Sequence, residues 1–132
     1  CKIAKIFDGS KGGLVVGKSH SEGGIHLLQK QADGTYKYEG EMEGHEYLSP
    51  PNLQGWVFKE LEEINMRRFG KTETIPQNIK VIDLSSEKIQ ILILAETRQF
   101  IMNKDATMSN LNRIAELVNI TTIDSSRRFR QW

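Results

Sequence analysis

Along the first fifty residues the apolar positions fall in short alternating runs cut by turn residues, and after Pro50-Pro51 they widen to helical and longer strand spacings. "KIAKIF" and "GLVVG" read as two short strands joined across "DGSKG". "GIHLLQKQ" and "TYKYEGEME" read as a hairpin across "ADG", because Asp-Gly readily supplies positive φ. Alternation puts Ile25, Leu27 and Gln29 on one face of that hairpin and His26, Leu28 and Lys30 on the other. Tyr36 and Tyr38 share a face of the partner strand.

"SPPN" closes this β-rich stretch, since two prolines remove two amide donors and disfavour helix before them. From Leu53 to Phe69 the period becomes helical. Val57, Leu61, Ile64 and Arg68 form one stripe, and Lys59, Glu60, Glu62, Glu63 and Arg67 occupy the opposite side. Asn52 is placed to cap the start and Gly70 the end, and Glu63 and Arg67 stand in the favourable i, i+4 order. Further on, "IKVIDL" and "KIQILILAE" read as strands parted by "SSE", and "RQFIMNK" continues the second or forms another. Asp105 can cap a helix from about Ala106 to Asn119, with Met108, Leu111, Ala115 and Val118 as its apolar stripe. The expected class is α+β: a glycine-rich antiparallel β half (residues 1–49), then helix–strand–strand–helix (52–124), then a basic-aromatic tail (125–132), all in one domain.

The 132 residues suffice for one core. Eighteen basic and 17 acidic side chains leave a net charge of +1, which excludes a global field for nucleic acid or membrane. No apolar run approaches the ~20 residues of a membrane span. A single cysteine forbids an intrachain disulfide, and a reducing compartment is the simpler reading. Cys1 stands where a methionine is expected, which fits a processed chain, a fragment or a lipidated bacterial N-terminus.

Three groups of residues invite chemistry. His20, His26 and His45, among Glu22, Glu41, Glu43 and Glu46, carry donors that suit zinc or iron. They lack every sharp ligand spacing, so they read first as turn and surface histidines and only secondarily as a metal-dependent hydrolase site. "GGLVVGKS", Gly12 to Ser19, matches the letters of a phosphate-binding loop. Its "LVV", however, favours a strand, and the glycines after His20 deny it the helix that must follow. Ser19 and Ser21 flank His20 without a nucleophile motif. Finally, Arg127, Arg128 and Arg130 with Phe129 and Trp132 could grip phosphates and stack on bases. No residue is singled out as catalytic and no cofactor is implied.

"GKSHSEGGI" followed by "EMEGHEYL" resembles a pattern in phage and prophage virion-associated proteins, the tape-measure-like polypeptides among them. There G-x-x-H-x-x-G-G precedes E-x-E-G-G-E and two apolar residues. Gly17, His20, Gly23 and Gly24 match the first half, and Glu41, Glu43, Gly44 and Glu46 the second. His45 stands where the pattern has its second glycine, and "SPP" replaces its polar-basic end. The resemblance covers residues 14–49 and implies a non-enzymatic structural or assembly protein that acts through contacts with other protein chains, as an oligomer or multichain complex, in a virion or the bacterial host cytoplasm. Within it, His20 is placed to hydrogen-bond across to the acidic strand and fix the register.

Overall fold

The computed structural model describes residues 5–67 and 72–120. The fold is α+β; among the described residues there are eight strands in two four-stranded sheets, with the helices on one side. The strands are β1 (Ile6–Asp8), β2 (Gly13–Val16), β3 (Ile25–Lys30), β4 (Tyr36–Met42), β5 (Tyr47–Leu48), β6 (Val81–Asp83), β7 (Gln90–Leu94) and β8 (Ile101–Met102). The helices are α1 (Gly55–Met66), α2 (Lys104–Ser109) and α3 (residues 111–120). Sheet A runs β1-β7-β3-β4 and sheet B runs β6-β2-β5-β8.

Period-two alternation makes sheet B the middle of three layers. Leu14, Tyr47 and Met102 point to the helices, where they meet Val57 and Leu61 of α1, Ala106 of α2, and Leu111, Ile114 and Leu117 of α3. Val15, Leu48 and Ile82 point the other way, onto Ile25, Leu27, Met42, Leu92 and Leu94 of sheet A. A strand buried on both faces needs a continuous apolar run, which is what "GLVV" provides. Among the described residues no helix is long and apolar enough to cross a membrane.

The β3–β4 hairpin forms as its sequence predicts. Gln31 N–H donates to Thr35 O at 2.8 Å, Gly34 has φ 88°, and the register runs Ile25↔Met42 to Lys30↔Tyr36 with a bulge at Leu27/Leu28. Two expectations give way to other pairings. β1 and β2 do not face each other across "DGSKG". They lie in different sheets, where β1 runs parallel to β7 and β2 pairs with β5 and, in parallel, β6. The glycine-rich connection instead carries the chain from one layer to the next. Both sheets are therefore mixed, and the two halves of the sequence interleave. Of the two readings of "RQFIMNK", the separate strand is the one formed: β8 crosses to sheet B beside β5.

Helix ends also shift. α1 begins at Gly55 after Gln54, not at Asn52, which instead adopts φ 61°. Its stripe of Val57 and Leu61 is buried, and Glu63 and Arg67 pair at 3.9 Å. Arg68, Phe69 and Gly70 fall outside the described residues. The helix expected from Ala106 is two helices. Asn103, not Asp105, caps the first, its side chain accepting from Ala106 N–H at 2.9 Å. Asn110 breaks the run: its amide donates to Ala106 O at 2.8 Å, a local bond that competes with helix continuation.

Candidate functional site

Two segments far apart in the hairpin region converge. β2 ends at Val16, and Gly17 to Ser19 lead extended into a single 3-10 turn, His20–Glu22. Glu22 holds this turn by accepting from Ser19 N–H at 2.9 Å and from the Ser19 hydroxyl at 3.1 Å. Gly23 and Gly24 then take φ 112° and 67°, closing the turn with bonds from Gly23 N–H to His20 O and from Gly24 N–H to Ser19 O. Only glycine adopts two successive left-handed positions without strain. The turn delivers His20 over the end of β4.

There the imidazole lies between two carboxylates. Its Nδ1 is 2.6 Å from Glu41 Oε1 and its Nε2 is 3.4 Å from Glu43 Oε2. Lys104, at the start of α2, donates to the other oxygen of Glu43 at 3.0 Å. Glu46 accepts from Glu43 N–H at 2.8 Å. The motif's glycines meet beneath this cluster. Gly44 N–H donates to Lys18 O at 2.9 Å, and a Cβ on Gly44 would lie 2.9 Å from the Gly17 nitrogen and closer still to its carbonyl oxygen. A Cβ on Gly24 would run into the Glu41 side chain. All eight motif residues, Gly17, His20, Gly23, Gly24, Glu41, Glu43, Gly44 and Glu46, are thus parts of one clasp.

The electrostatics follow from the geometry. The hydrogen bond to Glu41, with the Glu43 charge adding, raises the His20 pKa above its ordinary value despite some desolvation. With a carboxylate at each nitrogen, the imidazolium is the form that satisfies both. Burial pushes Glu46 up, and the Glu43 charge adds to it. The bond to Glu43 raises Lys104. The 3-10 turn and α2 bring cations over Glu41 and Glu43, while Glu41 itself stays exposed.

His45 explains its own departure from the resembled pattern. It sits at φ 71°, a left-handed position that glycine adopts freely, and its N–H donates to Val15 O at 2.6 Å.

The expected alternatives do not assemble. His26 turns away to Tyr38, its Nδ1 3.2 Å from the hydroxyl, and His45 is exposed on its turn. Among the described residues, no three His, Cys, Asp or Glu side chains are grouped to hold a metal ion, so His20, His26 and His45 do not form one ligand set. The "GGLVVGKS" stretch is strand β2 followed by a 3-10 turn, without the helix N-terminus a phosphate loop needs. The Ser19 hydroxyl meets Ser21 and Glu22, not His20. Arg127, Arg128, Arg130 and Trp132 lie outside the described residues.

Two members of the clasp escape sequence reasoning. Lys104 lies 61 residues from Glu43 and carries no local signal. Gln90 is 1% exposed; its Oε1 accepts from Lys18 N–H at 2.7 Å, and its amide donates to Leu84 O at 2.5 Å and Glu87 O at 3.2 Å. The one available sign is a glutamine set into the apolar run "IQILILA".

No protein-family model, curated protein or solved structure matches the chain.

Proposed function

We propose that this chain is a non-enzymatic structural or assembly protein of a phage or prophage particle, working through contacts between copies of itself. The observation that carries the reading is the outer face of sheet A. β7 runs parallel to both its neighbours, and its sequence, "QILIL", is apolar on both sides. Such strands belong to sheets covered on both faces. Here one face packs on sheet B, while Ile91, Ile93 and Leu28 line the other beside Ile6, Tyr36 and Tyr38, which are 49%, 52% and 56% exposed. An exposed apolar stripe rimmed by polar side chains, here Asp8, His26 and Lys30 on the same face, is the pattern of an interaction site.

The clasp supports the same reading from the other direction. His20, Glu41, Glu43 and Lys104 pair with one another and Glu46 caps the Glu43 N–H, which supports reading the cluster as a fastening of the hairpin. The resemblance of residues 14–49 to virion-associated proteins supplies the phage context.

Light scattering of the purified chain over a range of concentrations tests the proposal. A mass climbing in multiples of the 15.1 kDa chain is expected. A monomer at every concentration contradicts it.

A further inference from the structure

The parallel strands β1, β7 and β3 all end at one margin of sheet A, and there they wall a groove of about 540 Å3. A groove of that volume is the size that holds small ligands. Parallel strands tend to open such crevices at their carboxyl ends, where the chain departs from the sheet.

Ile6, Ile93, Leu94 and Tyr36 give the groove apolar walls, and Asp8, Lys30 and Glu96 bring charges of both signs to it. Register fixes how two of those charges stand. Asp8 is level with Ile93, Ile93 is level with Leu28, and Lys30 lies two residues beyond Leu28 on the same face of the sheet. Two interstrand spacings across the sheet and two residues along it, roughly 12 Å in all, separate the backbones that carry them. Among the described residues, no ion pair involves Asp8, Lys30 or Glu96. The groove therefore presents opposite charges across an apolar floor, with neither neutralised by the other. Asp8 is held as the carboxylate, chiefly by its bonds from Ser10.

The walls are also fastened in place. Gln99 donates from Nε2 to Gly9 O at 3.0 Å and to Ser49 O at 2.8 Å, and accepts from Ala95 N–H at 2.7 Å. One carboxamide ties the exits of β1 and β7 to the segment leading to Asn52, another lining residue. A groove pinned in this way is preformed, which spares a ligand the cost of ordering it.

We propose that this groove binds a small zwitterion with an apolar side chain, of the free amino acid or dipeptide class. Its ammonium faces Asp8 and Glu96, its carboxylate faces Lys30, and its side chain lies over Ile93 and Tyr36. Ile6, Ile93 and Tyr36 also lie on the face proposed for assembly, so a ligand and a second copy compete for them; binding is therefore read on protein dilute enough to be monomeric, and does not require the assembly reading.

The test is isothermal titration calorimetry of the full chain with L-phenylalanine, glycyl-L-phenylalanine, phenethylamine and 3-phenylpropionate. Saturable binding of one of the two zwitterions is expected, with each half-molecule weaker by about tenfold or more. Lys30→Gln should bring the zwitterion down to the affinity of phenethylamine. The double variant Asp8→Asn/Glu96→Gln should bring it down to that of 3-phenylpropionate. Lys30 and Glu96 are exposed and Asn at position 8 can keep the turn to Ser10, so circular dichroism should show every variant folded. No saturable heat with either zwitterion at millimolar concentration overturns the proposal. So does an unchanged affinity in Lys30→Gln.

Discussion

His20 shows how much one side chain can depend on two remote neighbours. Its folded pKa lies above the ordinary 6.5 because Glu41 accepts a hydrogen bond from its Nδ1–H and the Glu43 charge adds to it. A histidine with a raised folded pKa stabilises fully below the unfolded value and loses that contribution as pH rises through the folded one. The melting temperature should therefore fall as pH rises above about 6.5. His20→Ala should melt a few degrees lower than the parent at pH 6 and lose most of that difference at pH 9, which differential scanning calorimetry reads directly. An equal melting temperature at pH 6 would remove the clasp from the account. Glu46 offers the converse. Burial raises its pKa, so its ionisation above the ordinary 4.5 works against the fold. Glu46→Gln keeps an oxygen for Glu43 N–H and should hold or raise the melting temperature at pH 7.

At the scale of elements, the clasp joins the turn after β2 to the turn after β4 by backbone as much as by charge. Gly44→Ala drives a Cβ into Gly17 and should cost about 1–3 kcal/mol in urea unfolding, as overpacking does. Asn103 caps α2 and also binds Asn65 at the end of α1, donating to Asn65 Oδ1 at 2.7 Å. Asn103→Ala should cost about 1–2 kcal/mol by the same measurement. Much at this scale was legible in the sequence. The stripe of Val57 and Leu61 announced α1, "ADG" announced the β3–β4 hairpin, and alternation put Ile25 and Leu27 inward. The reach from His20 to the acidic strand was legible too, because a hairpin of known register sets that distance. Lys104 and Gln90 were not, since their contacts with Glu43 and Lys18 close loops of 61 and 72 residues. Nor was the break at Asn110, where a local side-chain bond outweighs an apolar stripe that by itself predicts one continuous helix.

For the whole molecule, sequence order misleads about neighbours. β1 and β2 look like a hairpin, yet each takes a parallel partner from the second half of the chain. Short-range turn chemistry reports on the next few residues and carries no information on a pairing eighty residues away. That interleaving is what leaves β7 between two parallel strands, with the outer face of its sheet uncovered by any other described element. On this account the clasp holds the fold and the open face of sheet A builds the assembly, so the two functions should separate by mutation. Sedimentation velocity on the parent, His20→Ala and the double variant Ile6→Lys/Tyr38→Lys makes the comparison. Concentration-dependent association is expected in the parent and in His20→Ala below its melting temperature, and its loss in the double variant, folded by circular dichroism. Association that persists unchanged in Ile6→Lys/Tyr38→Lys, or a parent that stays monomeric throughout, would contradict it.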